Sequence, residues 1–147
     1  MALLGRVWSG GLIWRLLSFH CVVPCFNEAA VIETFYSAVD DVLGPITFDY
    51  EICYVDDGST DRTWDINGGL SLSDRRVRYA ALSRNFGREA AILVGLRMSR
   101  GWAAVLMDVE VLDGVGDFRL LSRQAVDTVL SLPETISGPA GRPGATR

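Results

Sequence analysis

Four short apolar runs set the limits on how this chain can fold. His20–Pro24 (HCVVP), Tyr50–Val55 (YEICYV), Val77–Leu82 (VRYAAL) and Ala103–Met107 (AAVLM) are apolar along most of their length, not at alternate positions. A strand with two apolar faces is buried on both, which calls for a parallel sheet with helices on each side. The intervening segments supply those helices. Ala29–Leu43 carries Val31, Ile32, Phe35, Val39, Val42 and Leu43 near a 3.6-residue period and stops at Gly44-Pro45. After the turn Asp57-Gly58-Ser59-Thr60, Ser59 or Thr60 caps a second helix through Ile66. Asn67-Gly68-Gly69 to Ser73-Asp74 reads as loop, and Gly87–Arg100 as a third helix. With right-handed crossovers this β-α-β-α-β-α-β succession is α/β and Rossmann-like, in strand order 3-2-1-4.

With 147 residues the chain holds one domain, not two. Its 49% apolar and 22% charged residues exclude both a disordered chain and a membrane bundle. A net charge of −4 provides no electrostatic footprint for nucleic acid. Cys21, Cys25 and Cys53 match neither a CxxC nor a zinc pattern, and His20 is the single histidine. They read as small apolar thiols on buried strands of a cytosolic protein. Residues 1–19 form an apolar extension interrupted by Arg6 and Arg15, too short and too charged to span a bilayer. It also lacks the cationic start and small-residue cleavage site of a signal peptide. Beyond Asp113, residues 114–134 read as a turn and one amphipathic helix, Phe118–Leu132, ended by Pro133. Residues 135–147 form a Gly/Pro-rich tail expected to be disordered.

Ligands of open α/β sheets sit at the carboxyl ends of the strands. Carboxylates fall at three such ends: Glu28 after the first strand, Asp56-Asp57 after the second, and Asp108 with Glu110 after the fourth. Neither GxGxxG nor GxxxxGK[ST] occurs, so a nucleotide here is bound without a glycine-rich loop. In extended chain Asp108 and Glu110 point the same way, which lets both face one Mg²⁺ or Mn²⁺ ion. Diphosphate oxygens would fill its other positions.

CVVPCFNEAA (21–30), YEICYVDDGSTDRT (50–63), LSRNFGREAAILVGL (82–96) and AAVLMDVEVLD (103–113) resemble, in order and spacing, the family-two glycosyltransferases. Within that family the likeness is to the polyprenyl-phosphate branch, the dolichol-phosphate mannosyltransferase and bactoprenol glucosyltransferase types. GVGDFRLLSRQAVD (114–127) is similar to a further segment from the family's acceptor half. The resemblance implies a GT-A-type sheet, here incomplete, and a nucleotide-sugar-binding half over residues 20–113. It further implies that Pro24, Phe26 and Glu28 line the nucleotide pocket, and that Val55 and Asp57 hold the base. Arg84 to Gly87 would lie along the donor, Asp108 and Glu110 would hold the metal and diphosphate, and Arg119 and Arg123 would face phosphate. The reaction so implied is inverting, metal-dependent transfer of a hexose from a UDP- or GDP-linked sugar to a polyprenyl phosphate at the cytoplasmic membrane surface. An acidic residue would deprotonate the acceptor.

Two departures bear on activity. The family reads Asp-x-Asp-x-Gln-Asp around the metal, whereas Glu110 and Leu112 stand at the second Asp and the Gln. Asp113 also runs straight into Gly114, where the family has a long acceptor-site stretch. The sequence therefore reads as a family member with an internal deletion, and the alternative function is that of a non-catalytic remnant that at most binds nucleotide. Weak or absent transfer activity and an exposed apolar edge on the fourth strand are the expected consequences.

Overall fold

The computed structural model describes residues 18–45, 49–109 and 118–133. The elements run β1 (Phe19–Cys25), α1 (Ile32–Leu43), β2 (Tyr50–Asp56), α2 (Thr63–Ser73), β3 (Val77–Ala81), α3 (Arg88–Met98), β4 (Ala103–Met107), β5 (Phe118–Ser122) and α4 (Arg123–Ser131). β1 lies between β2 and β4, parallel to both, and β3 is parallel to β2 on its outer side. The sheet order is β3-β2-β1-β4-β5, so the four apolar runs take the expected 3-2-1-4 arrangement. The expected N-terminal extension up to residue 17, the 110–117 junction with Glu110 and Leu112, and the 135–147 tail lie outside the described residues.

Alternation along the central strand explains why its run is apolar throughout. Cys21, Val23 and Cys25 face a core built with Ile32, Phe35 and Val39 of α1 and Tyr54 and Val77 of the sheet. Val22 faces the other way, against Leu96 of α3, Ala104 and Val126 of α4. Burying each such side chain contributes about 1.5–3 kcal/mol. All three cysteines are free and buried, and burial pushes the Cys21 and Cys25 thiols up to about 12 and Cys53 to about 11. On the second face α3 approaches so closely that a Cβ at Gly95 would stand 2.3 Å from Val22 Cγ1 and 3.3 Å from Val55 Cγ2.

The carboxyl end of α3 is tied to the amino edge of the sheet. His20 Nδ1 accepts the Arg100 N–H (3.0 Å), while Arg78 and Arg123 donate to the carbonyls of Met98 and Ser99, each at 2.9 Å. These bonds satisfy backbone groups that a helix end leaves without partners. Desolvation lowers the His20 pKa from 6.5, with Arg78 acting in the same direction and Glu51 opposing both.

Two segments depart from the sequence reading. α2 continues through Asn67-Gly68-Gly69 to Ser73, where a loop was expected. Asn67 is fully buried and donates Nδ2 to Cys25 Sγ at 3.7 Å, and a Cβ at Gly68 would lie 3.3 Å from Tyr79 Oη. Packing on β3 thus outweighs the helix cost of two glycines, about 1 kcal/mol each. The second departure is that Phe118–Leu132 is not one helix. Its first five residues form β5, antiparallel to β4 from Met107↔Phe118 to Ala103↔Ser122. Ser122 Oγ then accepts the Ala125 N–H and starts α4. The open edge of β4 provides a ladder of backbone hydrogen bonds, and Leu121 packs inward while Leu120 stays exposed, the alternation of a strand. The fourth strand is therefore covered by β5, which corrects the expectation of an exposed edge there.

Two measurements test this architecture. Gly95→Ala gains helix propensity but overpacks against Val22, and a net loss of about 1–3 kcal/mol is expected in urea unfolding. An unchanged midpoint would mean that α3 does not press on β1. Because the folded His20 pKa is depressed, its contribution is intact above pH 6.5 and is lost as pH falls through the folded value. Stability should therefore decline on acidification below pH 6.5 more steeply in the wild type than in His20→Gln.

Candidate functional site

Two loops at the carboxyl edge of the sheet are stitched together by side chains. The loop after β1 presents three successive amides. Asn27 N–H donates to Ser59 Oγ (2.9 Å), Glu28 N–H to Thr63 Oγ1 (3.0 Å) and Ala29 N–H to Asp61 Oδ2 (3.2 Å). Asn27 returns the contact, its Oδ1 accepting from the Thr60 and Asp61 amides at 2.8 and 3.3 Å. This geometry holds Asn27 at φ +52°, a left-handed conformation that asparagine tolerates better than most residues. Ser59 and Thr60 therefore serve the neighbouring loop. The side chain at the start of α2 is Asp61, whose Oδ1 accepts the Thr63 N–H at 2.9 Å.

A third loop, between β3 and α3, is held by Asp57. Its Oδ1 accepts the Phe86 N–H (2.8 Å) and its Oδ2 the Gly87 N–H (3.1 Å). Gly58 at φ +75° lets that loop pass, since a Cβ there would fall 2.4 Å from the Arg84 carbonyl carbon. Each of the three loops thus fixes the next.

Between them opens a cavity of about 180 Å³ lined by Pro24, Cys25, Phe26, Glu28, Asp57, Arg88, Asp108 and Val109. Five of the residues singled out in the sequence meet here: Pro24, Phe26, Glu28, Asp57 and Asp108. Four do not. Val55 is fully buried beneath Gly95, and its side chain belongs to the core. Arg84 stacks on the Phe86 ring at 4.9 Å, outside the cavity lining. Arg119 is exposed on β5 opposite Leu106. Arg123 stands at the opposite, amino edge of the sheet, bonded to Asp127 Oδ1 and the Ser99 carbonyl. A phosphate-facing Arg123 does not fit that placement, because β5 runs antiparallel and carries the residue after Ser122 away from the cavity. Glu110 lies outside the described residues.

Arg88 escaped the sequence reading. It is the first residue of α3 and donates Nη1 to Asp108 Oδ1. The available signal was a basic residue in the first turn of a helix, where the dipole favours acidic ones. Asp108, Glu28 and Asp57 line one cavity with carboxylates, but among the described residues they do not form a group whose ligand atoms converge on a single ion. Among the described residues the group that does converge is His20, Glu51 and Cys53, with ligand atoms within 4.8 Å. It lies at the other end of β1, with His20 Nδ1 accepting from Arg100 and Glu51 facing Arg78 at 3.4 Å. It acts as a structural anchor for α3.

A mostly parallel sheet whose carboxyl edge gathers acidic residues around a cavity, with no glycine-rich phosphate loop, is the architecture of the GT-A glycosyltransferases. Solved structures agree at the level of fold. S. aureus TarS 1-349 superposes with a TM-score of 0.53 at 21% identity, over 67% of this chain and 31% of its own. The mannosyltransferase PcManGT from Pyrobaculum calidifontis, solved with GDP-Man and Mn²⁺, gives 0.52 at 19% identity over 74% and 37%. The chain belongs to glycosyl transferase family 2, which matches residues 20–113. The bactoprenol glucosyl transferase of Shigella phage SfV is 37% identical over 99 residues, 67% of this chain and 32% of that protein. CsbB of Bacillus subtilis (strain 168), a protein named as a glycosyltransferase, is 30% identical over 166 positions, 77% of this chain and 50% of that protein. The chain thus spans a third to a half of these relatives' length. The CsbB alignment is also longer than this whole chain, 166 positions against 147 residues, so the relative carries residues with no counterpart here.

The interlock predicts that Gly58→Ala, which combines a left-handed φ with a backbone clash, costs about 2–4 kcal/mol. Chemical denaturation measures this, and a loss below about 0.5 kcal/mol would show that the third loop is not held against Gly58.

Proposed function

We propose that this chain is the donor-binding half of a glycosyltransferase that moves a hexose from a UDP- or GDP-linked sugar to a polyprenyl phosphate. The observation that carries the reading is the cavity that brings Pro24, Phe26, Glu28, Asp57 and Asp108 together at the carboxyl edge of a family 2 sheet. The half-exposed Phe26 ring offers a face to a base. Asp57, already holding two amides, keeps a further lone pair on each oxygen for the ring N–H of the base. Asp108, with Glu110 beyond it in sequence and Glu28 across the cavity, would hold Mg²⁺ or Mn²⁺. When bound, such a cation neutralises charge building on the departing diphosphate. The structures of PcManGT with GDP-Man and Mn²⁺ and of TarS with UDP-GlcNAc support a nucleotide-sugar and a metal. The bactoprenol glucosyl transferases support a polyprenyl-phosphate acceptor. Among the described residues no helix is long and apolar enough to cross a membrane.

A second reading, nucleotide binding without turnover, is favoured by Glu110, Leu112 and the family residues that have no counterpart here. An acceptor cleft is what holds the nucleophile in line, and such positioning contributes roughly 7–11 kcal/mol to a barrier. One experiment separates the two. Calorimetric titration with UDP and with GDP, each with Mn²⁺, should show binding that Asp57→Ala abolishes, and unchanged affinity in that variant would reject the site. Incubation with UDP-glucose or GDP-mannose and polyprenyl phosphate then decides turnover. Metal-dependent product establishes the transferase, and binding without product establishes the remnant.

A further inference from the structure

At the amino end of the sheet, three side chains of different donor chemistry converge on one spot. His20 of β1 stands beside Glu51 of β2, and Cys53 follows two residues on, so all three project from one face. The imidazole, carboxylate and thiol ligand atoms lie within 4.8 Å of one another. Two ligands about 2.1 Å from a tetrahedral ion are about 3.4 Å apart, and His20 Nδ1 and Glu51 Oε2 are 3.5 Å apart. Both strands are paired on either side, which fixes the backbone under the spot. A Cβ at Gly101 would fall 2.5 Å from His20 Cδ2, so the ring has no room to turn on that side. His20 and Cys53 are buried, while the Glu51 side chain, 32% exposed, opens the spot to solvent. Desolvation holds His20 below its ordinary pKa, which favours the neutral imidazole that ligates.

We propose that His20, Glu51 and Cys53 form a Zn²⁺ site, separate from the donor cavity and at the opposite end of β1. Nitrogen, sulfur and oxygen donors together select Zn²⁺ over the hard ions that carboxylates alone would take. Cys53 loses its thiol proton to solvent as the Zn–S bond forms. Thiolate and carboxylate then balance the two positive charges, so no net charge is left buried. Two existing contacts are exchanged. The ion takes the Nδ1 lone pair from the Arg100 N–H, and Arg100 is exposed, so water accepts that amide proton instead. The ion also takes Glu51 Oε2 from Arg78, a 3.4 Å contact between partly exposed groups that contributes little. Arg78 keeps the Met98 carbonyl at 2.9 Å. Arg78, opposite Cys53 on β3, is joined by Arg123 and Asp49 as the other charged groups facing the spot. Three protein ligands leave a fourth position for water.

The test uses the full chain with Co²⁺ as the spectroscopic stand-in for Zn²⁺, and reads the near-ultraviolet thiolate-to-Co²⁺ charge-transfer band. Wild type should develop the band, Zn²⁺ should displace it, and a large excess of Mg²⁺ should not. Cys53→Ser should abolish it, with circular dichroism confirming the fold of each variant. Glu51→Gln, at a partly exposed position, should weaken Co²⁺ about tenfold or more, and His20→Gln likewise. Cys25→Ser, which alters the sulfur lining the donor cavity, should leave the band unchanged. A folded wild type without the band overturns the site. So does a band that survives in Cys53→Ser, or one that Cys25→Ser abolishes, because the thiolate is then elsewhere. An unchanged Co²⁺ affinity in Glu51→Gln overturns the three-ligand set, and this variant decides alone if Cys53→Ser does not fold.

Discussion

The amides of Asn27, Glu28 and Ala29, each ending on a side-chain oxygen from the 59–63 loop, are the interaction on which the rest of the cavity depends. Loops leaving the carboxyl ends of parallel strands have no ladder to join, so their polar groups must be satisfied by other means. Here the two loops satisfy each other. Phe26 and Glu28 are consequently fixed in direction by bonds on either side of them. Asp57 extends the same device to the 86–87 amides, which sets Arg88 and the start of α3 against the cavity. A wall whose entropy is lost during folding need not be ordered again when a ligand binds.

How much was legible in the sequence follows from which signals were local. The parallel strands were readable because two-sided burial leaves a continuous apolar run, and Val22 between Cys21 and Val23 is that pattern in miniature. The continuation of α2 beyond Ile66 and β5 were not, because each is decided by a distant partner. Asn67 and Gly68 are helical on account of Cys25 and Tyr79, and Leu120-Leu121 is extended on account of the edge of β4. The carboxylates of the cavity were legible as strand-end residues. Val55 and Arg123 lie away from the cavity for a reason sequence does not carry: a strand residue faces one side or the other, and one antiparallel strand carries Arg123 to the far edge. Arg88 was overlooked because a basic residue opening a helix has no meaning until Asp108 is seen beside it.

α3 gives the two edges of the sheet a common element. Its first residue meets Asp108 at the cavity, while its last residue and the two that follow are held by Arg78, Arg123 and His20. Gly95 in between allows no slack against Val22. One helix thus makes contacts at both edges of the sheet, with Arg88 at the cavity and Met98 to Arg100 at the amino edge.

The three sulfurs in the sheet have a consequence of a different kind. Cys21, Cys25 and Cys53 are shut inside two cores and hold their protons far above neutral pH. Thiolate is the form that attacks oxidants and disulfides, so the folded chain offers them almost none. Burial keeps all three sulfurs of the central strands protonated and away from solvent in the folded chain. Vulnerability appears only when the sheet opens, and then at three places at once, which makes oxidation a record of unfolding.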